Sequence, residues 1–341
     1  MPEAADPGAA NERGVVWRAF AIFCATALAV AAAYLASAAL FADLGVFAAP
    51  DGSARVARLP RFNAALGLVF AYLCASVWLG QRWAQRDFEA LRGVAEASAA
   101  DWSEWAARVR APGPATLACA GLAGAAFGVG VNLVGGRNGE LDPALWRGHV
   151  VWVQLLNPLL FAVMGVLIVL GAARSRAYRE LGRRTRVRVG EIASLAPFAR
   201  AGLRVALLWF VGTSLASLLL VDTDSPALVL SILVGTTGIA VASLLAPSRG
   251  VHERLRAAKR EELDWVRARI AEASGALRSG DERGAASLPA LLAWEARVAS
   301  APEWPFDAST WLRFALLLLV PLGSWLGGAL AQHVVERWLG A

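Results

Sequence analysis

Seven stretches of about 20 apolar residues divide this chain, and they constrain its fold more than any other feature. A helix of that length covers a hydrocarbon core about 30 Å thick. Inside lipid every backbone N–H and C=O needs an internal partner, so each run is read as a membrane helix. Six occupy 15–41, 62–80, 115–134, 150–170, 203–221 and 226–246, and the seventh, Phe314 to Val334, lies in the closing segment 308–341. A soluble fold would have to hide all of them. The chain is 57% hydrophobic and 18% charged, against about half and a quarter in soluble domains. The expected fold class is therefore all-α: a polytopic integral membrane helix bundle with about seven transmembrane helices. Three cysteines are too few for a secreted disulfide scaffold, and the composition excludes a disordered chain.

Arginine and lysine set the orientation. Residues 1–14 form a short tail of mixed charge with a single Arg, and the first apolar run is about twice the length of a signal-peptide core. That run is expected to remain as an anchor. With the N-terminus in the cytoplasm, 27 of the 33 basic residues fall on cytoplasmic segments, as the positive-inside rule requires. Arg55, Arg58 and Arg61 fall on the other side. They leave a re-entrant or interfacial path open for the first two segments. The expected topology in the cell membrane is N-terminus cytoplasmic and C-terminus external.

Two pieces outside the bilayer carry helical patterns. In 81–110, Trp102, Trp105 and Val109 fall on one face, as do Phe88 and Leu91, with charges elsewhere. This amphipathic segment suits the headgroup plane, or equally the cytoplasmic end of the bundle. Between helices six and seven, residues 249–307 read as a cytoplasmic antiparallel helical hairpin. Leu263, Val266, Ile270 and Leu277 alternate steps of three and four with Ala273 between them, a short coiled-coil-like seam. The stretch 279–284 is rich in helix breakers, and Ser287 is a candidate N-cap with Pro289 in the first turn. Leu291, Leu292 and Val298 continue the candidate interface on the second helix. The two seams are expected to pack on each other; a second protomer or a cytoplasmic protein partner is the rival occupant. Asp307 is a candidate cap for the last helix and Pro321 a kink within it.

The runs Pro247-Ser248-Arg249-Gly250-Val251-His252, Lys259-Arg260-Glu261-Glu262-Leu263, Glu303-Trp304-Pro305-Phe306-Asp307 and Pro321-Leu322-Gly323-Ser324-Trp325-Leu326-Gly327-Gly328 stand in order along the C-terminal third. They resemble a group of uncharacterised prokaryotic membrane proteins with a cytoplasmic helical hairpin and a WPFD entry to the last helix. The resemblance covers roughly the last hundred residues. It implies an architecture and carries no activity with it.

Chemistry is sparse. No Asp, Glu, Lys or Arg lies near the centre of an expected span, which removes support for a proton pump, a carboxylate antiporter or an arginine voltage sensor. Arg18, Asp43, Arg200 and Arg204 are terminal and could reach the headgroups. A retinal protein needs a lysine in a span, yet Lys259, in the cytoplasmic segment, is the only lysine. His149, His252 and His333 have no second ligand at metal-binding spacing, and no nucleophile elbow or phosphate-binding loop occurs. No catalytic residue, metal or cofactor is therefore expected. The serines of spans five and six are read as helix–helix hydrogen-bonding groups, and Cys24, Cys74 and Cys119 as small packing residues. Gly124 and Gly128 form a small-xxx-small pair, for packing within one chain or for homodimerisation.

Two constellations remain. Asn132, His149, Gln154 and Asn157, the last followed by a proline, could line a small external vestibule or bond neighbouring helices. Arg174, Arg176, Arg179, Arg183, Arg184, Arg186 and Arg188 follow a span directly. That position favours anionic lipid headgroups over nucleic acid, at about 1 kcal/mol per residue near the surface. The expected function is a non-enzymatic scaffold or signalling and assembly component working through the hairpin. A channel or transporter for a small solute or ion is the alternative, and an intramembrane lipid-acting enzyme comes third.

Overall fold

The computed structural model describes residues 7–40, 58–94, 98–110, 112–135, 148–185, 192–220, 226–279, 286–306, 309–319 and 323. In chain order the helices are α1 (Pro7–Leu40), α2 (Arg58–Glu89), α3 (Ala99–Arg110), α4 (Pro114–Gly135), α5 (Gly148–Arg183), α6 (Ala196–Ala216), α7 (Pro226–Arg278) and α8 (Leu288–Ser300). A short apolar helix, α9, follows at Ser309–Leu319. The described residues are helical throughout, apart from turns and short connections.

Among the described residues, five helical stretches are long and apolar enough to cross a membrane: Glu12–Leu40, Pro60–Glu89, Ala100–Leu133, Val150–Arg183 and Ala196–Leu219. The third of these joins α3 to α4. The expected sixth segment, 226–246, forms the first part of α7, and the seventh is described only through α9 and residue 323. Asp307, Pro321 and His333 lie outside the described residues. Large apolar side chains stand open on the outer helices: Trp17 on α1 is 68% exposed, and Leu122 and Phe127 on α4 are 71% and 62% exposed. In water such surface would be a severe liability; against lipid tails it costs nothing.

Three departures from the expected boundaries have local causes. Helix α1 begins at Pro7 instead of near Val15, and its extra turns carry Glu12 to an ion pair with Arg204 of α6. Helix α2 continues past the apolar run to Glu89. The amphipathic segment therefore splits into the end of α2 and a separate α3. The apolar face of α3 is covered by protein: Trp102, Trp105 and Val109 join Phe88, Leu91, Tyr178, Leu181, Phe198, Val251 and Leu255 in one core. Phe88 and Trp102 stack there at 4.4 Å between ring centroids. Helix α7 does not stop where the membrane segment ends. It runs 53 residues with Pro247 inside it, about 80 Å at the usual rise.

Close backbone approach sets the packing of α4 on α5 and of α7 on its neighbours. A Cβ on Gly124 would lie 2.1 Å from the Phe161 carbonyl oxygen, and one on Gly128 would lie 2.8 Å from the Cα of Pro158. From the other side, a Cβ on Gly165 would meet the Ala120 oxygen at 2.4 Å. The Gly124–Gly128 face is thus occupied by α5 of the same chain, the small-residue contact that lets membrane helices approach.

Candidate functional site

The polar groups of α4 and α5 hold one another. Asn157 Nδ2 donates to Asn132 Oδ1 at 2.7 Å, and Asn132 Nδ2 donates to Gln154 Oε1 at 2.9 Å. The structure brings these three candidates together; the side chain of His149 lies outside the described residues. Asn132 is buried and accepts and donates within the triad, so replacing it by Ala strands two partners. We expect Asn132→Ala to lower stability by about 1 kcal/mol, the scale of interhelical polar contacts in membranes, read as a shifted midpoint in a denaturing-detergent titration.

The arginine run on α5 is divided by its surroundings. Arg174 is buried and donates through Nη2 to Gln81 Oε1 of α2, while Gln81 donates onward to the Arg110 carbonyl oxygen. Arg183 pairs with Glu253 of α7 at 2.9 Å. Arg184 pairs with Glu180 at 3.4 Å and Asp101 at 3.6 Å, and its guanidinium lies 5.2 Å from the Trp105 ring centre. Arg176 is exposed and Arg179 half-buried; Arg186 and Arg188 lie outside the described residues.

Next to Arg174, at the same end of the bundle, is a cluster that the sequence did not reveal. Arg204 of α6 donates through Nη1 to Asp87 Oδ1 at 2.8 Å and through Nη2 to Glu12 of α1. Its guanidinium also lies 5.3 Å from the Trp83 ring centre, and Arg200 approaches Asp87 at 4.0 Å. Arg204 therefore does not reach outward to headgroups. Its side chain is 14% exposed and that of Asp87 only 4%. Asp87, Arg174, Arg204 and Tyr178 border a narrow cavity of about 30 Å³ together with Pro247 of α7. Tyr178 donates to the Ala84 carbonyl oxygen at 2.9 Å. Asp87 Oδ2 and Arg174 Nε are buried without a hydrogen-bond partner among the described residues. Burying these charges is tolerable only because Asp87 and Arg204 neutralise each other, and the pair ties α1, α2 and α6 together.

A second convergence joins three of the four C-terminal sequence runs. The His252 ring of α7 stacks on Trp304 at 4.1 Å with an interplanar angle of 11°. His252 Nδ1 lies 2.8 Å from the Glu303 carbonyl oxygen. Lys259 Nζ donates to the Ala301 carbonyl oxygen at 2.8 Å and faces the Glu303 carboxylate at 3.9 Å. Trp304 stacks on Phe306, and contacts continue through Trp311 and Phe314 to Phe210 of α6. The segment after α8 is thus clasped to α7 and led into α9 by aromatic rings.

Side-chain contacts join the distal half of α7 to α8. Arg267 pairs with Glu295 at 2.9 Å, and Trp294 Nε1 donates to Glu262 Oε1 at 2.9 Å. Of the candidate seam, Val266 and Val298 are fully buried, and Leu263, Ile270 and Leu291 are half-buried. Leu277 and Leu292 are 56% and 49% exposed. Ser287 occupies the N-cap of α8 without the expected side-chain bond.

Among the described residues no group of three or more His, Cys, Asp and Glu could hold a metal ion. Ser214, the one serine of α6, donates to the Phe210 carbonyl oxygen of its own helix at 2.9 Å. Comparison with known proteins adds no relative: no family model, curated protein or solved structure matches the chain.

Proposed function

We propose that this chain is a non-enzymatic integral membrane protein of seven crossings that assembles with further copies of itself through a cytoplasmic helical hairpin. In this reading the hairpin is the distal half of α7 with α8, the N-terminus is cytoplasmic and the C-terminus external. The distribution of basic residues supports that orientation.

The observation that carries the proposal is the unbroken α7. Its middle is packed in the bundle, where Ala240, Leu244, Val251 and Leu255 are buried against α5 and α6. Its distal half leaves the bundle and carries α8, yet the pair covers only part of its own apolar surface. Trp265, Leu277, Leu292 and Trp294 are 36% to 56% exposed. Apolar surface of this kind outside a membrane marks a contact site. One continuous helix then links a contact surface to the helices that hold the buried charges.

The test is the mass of the purified particle in lipid nanodiscs. Replacing 264–296 by a short linker removes the contact surface while keeping Val251 and Leu255 in the bundle core. Trp265→Glu with Leu292→Glu probes the same surface with both helices intact. The expected result is a multimer for the unaltered chain and a monomer for both variants. A single protomer in all three particles would overturn the reading.

A further inference from the structure

Between the first turns of α1 and the end of α2 lies an open groove of about 500 Å³. It is lined by Gly14 and Arg18 on α1 and by Trp78, Arg82, Gln85 and Arg86 on α2, with Glu89 at one end. Arg18 and Arg82 bring two guanidinium groups to this groove. Glu89, which also lines the groove, meets Arg92 at 3.9 Å with both side chains exposed. Nearby Glu12 is held by Arg204. Arg18 and Arg82 are both exposed, and the Arg82 guanidinium lies 5.5 Å from the Trp78 ring centre.

The groove's depth follows from the sequence. The apolar run of α1 starts at Val15 and that of α2 ends at Gly80, so both walls cross the edge of the hydrocarbon at this level. Trp78 on this wall is the residue type that settles among headgroups. Apolar contact holds the walls together lower down, where Val30 of α1 packs against Gly67 of α2.

We propose that this groove binds the phosphate headgroup of an anionic phospholipid, with Arg18 and Arg82 as the principal contacts. The volume is within the range of about 300–1,000 Å³ common for small-molecule sites. Arginine forks match phosphate oxygens two at a time, and Gln85 can donate a further hydrogen bond. The groove opens at the level where a lipid phosphate lies when its tails run down the outside of α1, whose Trp17 and Phe20 are 68% and 53% exposed. Three arginines of α5 are less available: Arg174 is buried, and Arg183 and Arg184 are bound to acids. The proposal rests on α1 and α2 crossing the membrane and is independent of self-assembly.

The test is lipid retention by the full chain, measured by native mass spectrometry after titration with phosphatidylglycerol or phosphatidylcholine. Phosphatidylglycerol should bind in preference. Arg18→Gln with Arg82→Gln should weaken it about thirtyfold, the loss expected for two interfacial charges. Arg18→Lys with Arg82→Lys should recover part of it, and Arg278→Gln, at the far end of α7, should leave it unchanged. Circular dichroism of the glutamine double variant checks that the bundle is intact. Equal retention by an intact double variant would overturn the proposal, as would equal binding of the two lipids. Displacement of phosphatidylglycerol by millimolar inorganic phosphate would also overturn the lipid assignment, because it would mark a site for a soluble anion.

Discussion

Arg204→Ala should cost about 3–5 kcal/mol of stability, because it leaves the buried Asp87 carboxyl group without its main partner. Arg200 cannot replace it from 4.0 Å with half its side chain in solvent. Replacing both members, Asp87→Leu with Arg204→Met, should be far milder, within about 1 kcal/mol of the unaltered protein. Glu12 would also lose its partner in either variant, but its side chain is 51% exposed and can turn to water. Unfolding midpoints in a denaturing-detergent series for the two single variants and the double measure the coupling directly. Independent, additive losses would show that the pair does not act as a unit.

Gly250→Val should be the second large effect. A Cβ at this position would lie 2.0 Å from the Arg179 carbonyl oxygen, and α5 answers with Gly182, whose Cβ would lie 2.7 Å from the Val251 nitrogen. The obstacle is backbone on both sides, so no side chain can rotate away. One of the helices must move. Overpacking of well-packed sites costs about 1–3 kcal/mol, and here it would also shift α7 against Gly202 of α6, where a Cβ would meet the Leu244 oxygen at 2.4 Å. Gly275→Ala on the same helix is the control: nothing lies within 4 Å of its added Cβ, so it should be neutral or stabilising by up to about 1 kcal/mol. Thermal unfolding of both variants in one detergent separates a packing effect from a propensity effect.

The five span-length apolar helices were legible because apolar runs of that length have few alternatives in lipid. What a single sequence lacks is the partner of each polar group. Arg204 sits at the end of an apolar run, so it reads as a snorkelling residue; its carboxylate partner is 117 positions away. Arg174 begins a run of arginines and reads as surface charge, but Gln81 at the end of α2 draws it inward. Gly124 and Gly128 signal close approach without saying to what; the answer is the backbone of α5 at Pro158 and Phe161. The Asn132, Gln154 and Asn157 group was visible as a polar cluster, and the structure supplies its hydrogen bonds. In the α7–α8 pair the heptad reading found Val266, which is fully buried, while Leu277 on the same seam is 56% exposed. The aromatic clasp at Trp304 joins residues about 50 positions apart and has no periodic signature.

The clasp has a consequence for chemical probing. Lys259 is the only lysine in the chain, and its ammonium is bound to the Ala301 carbonyl oxygen with the side chain 16% exposed. Amine-directed reagents therefore meet a single side chain, and they reach it fully only when the 301–306 segment lifts from α7. The rate of acylation at Lys259 becomes an intrinsic clock for that local opening, readable without adding any label to the protein.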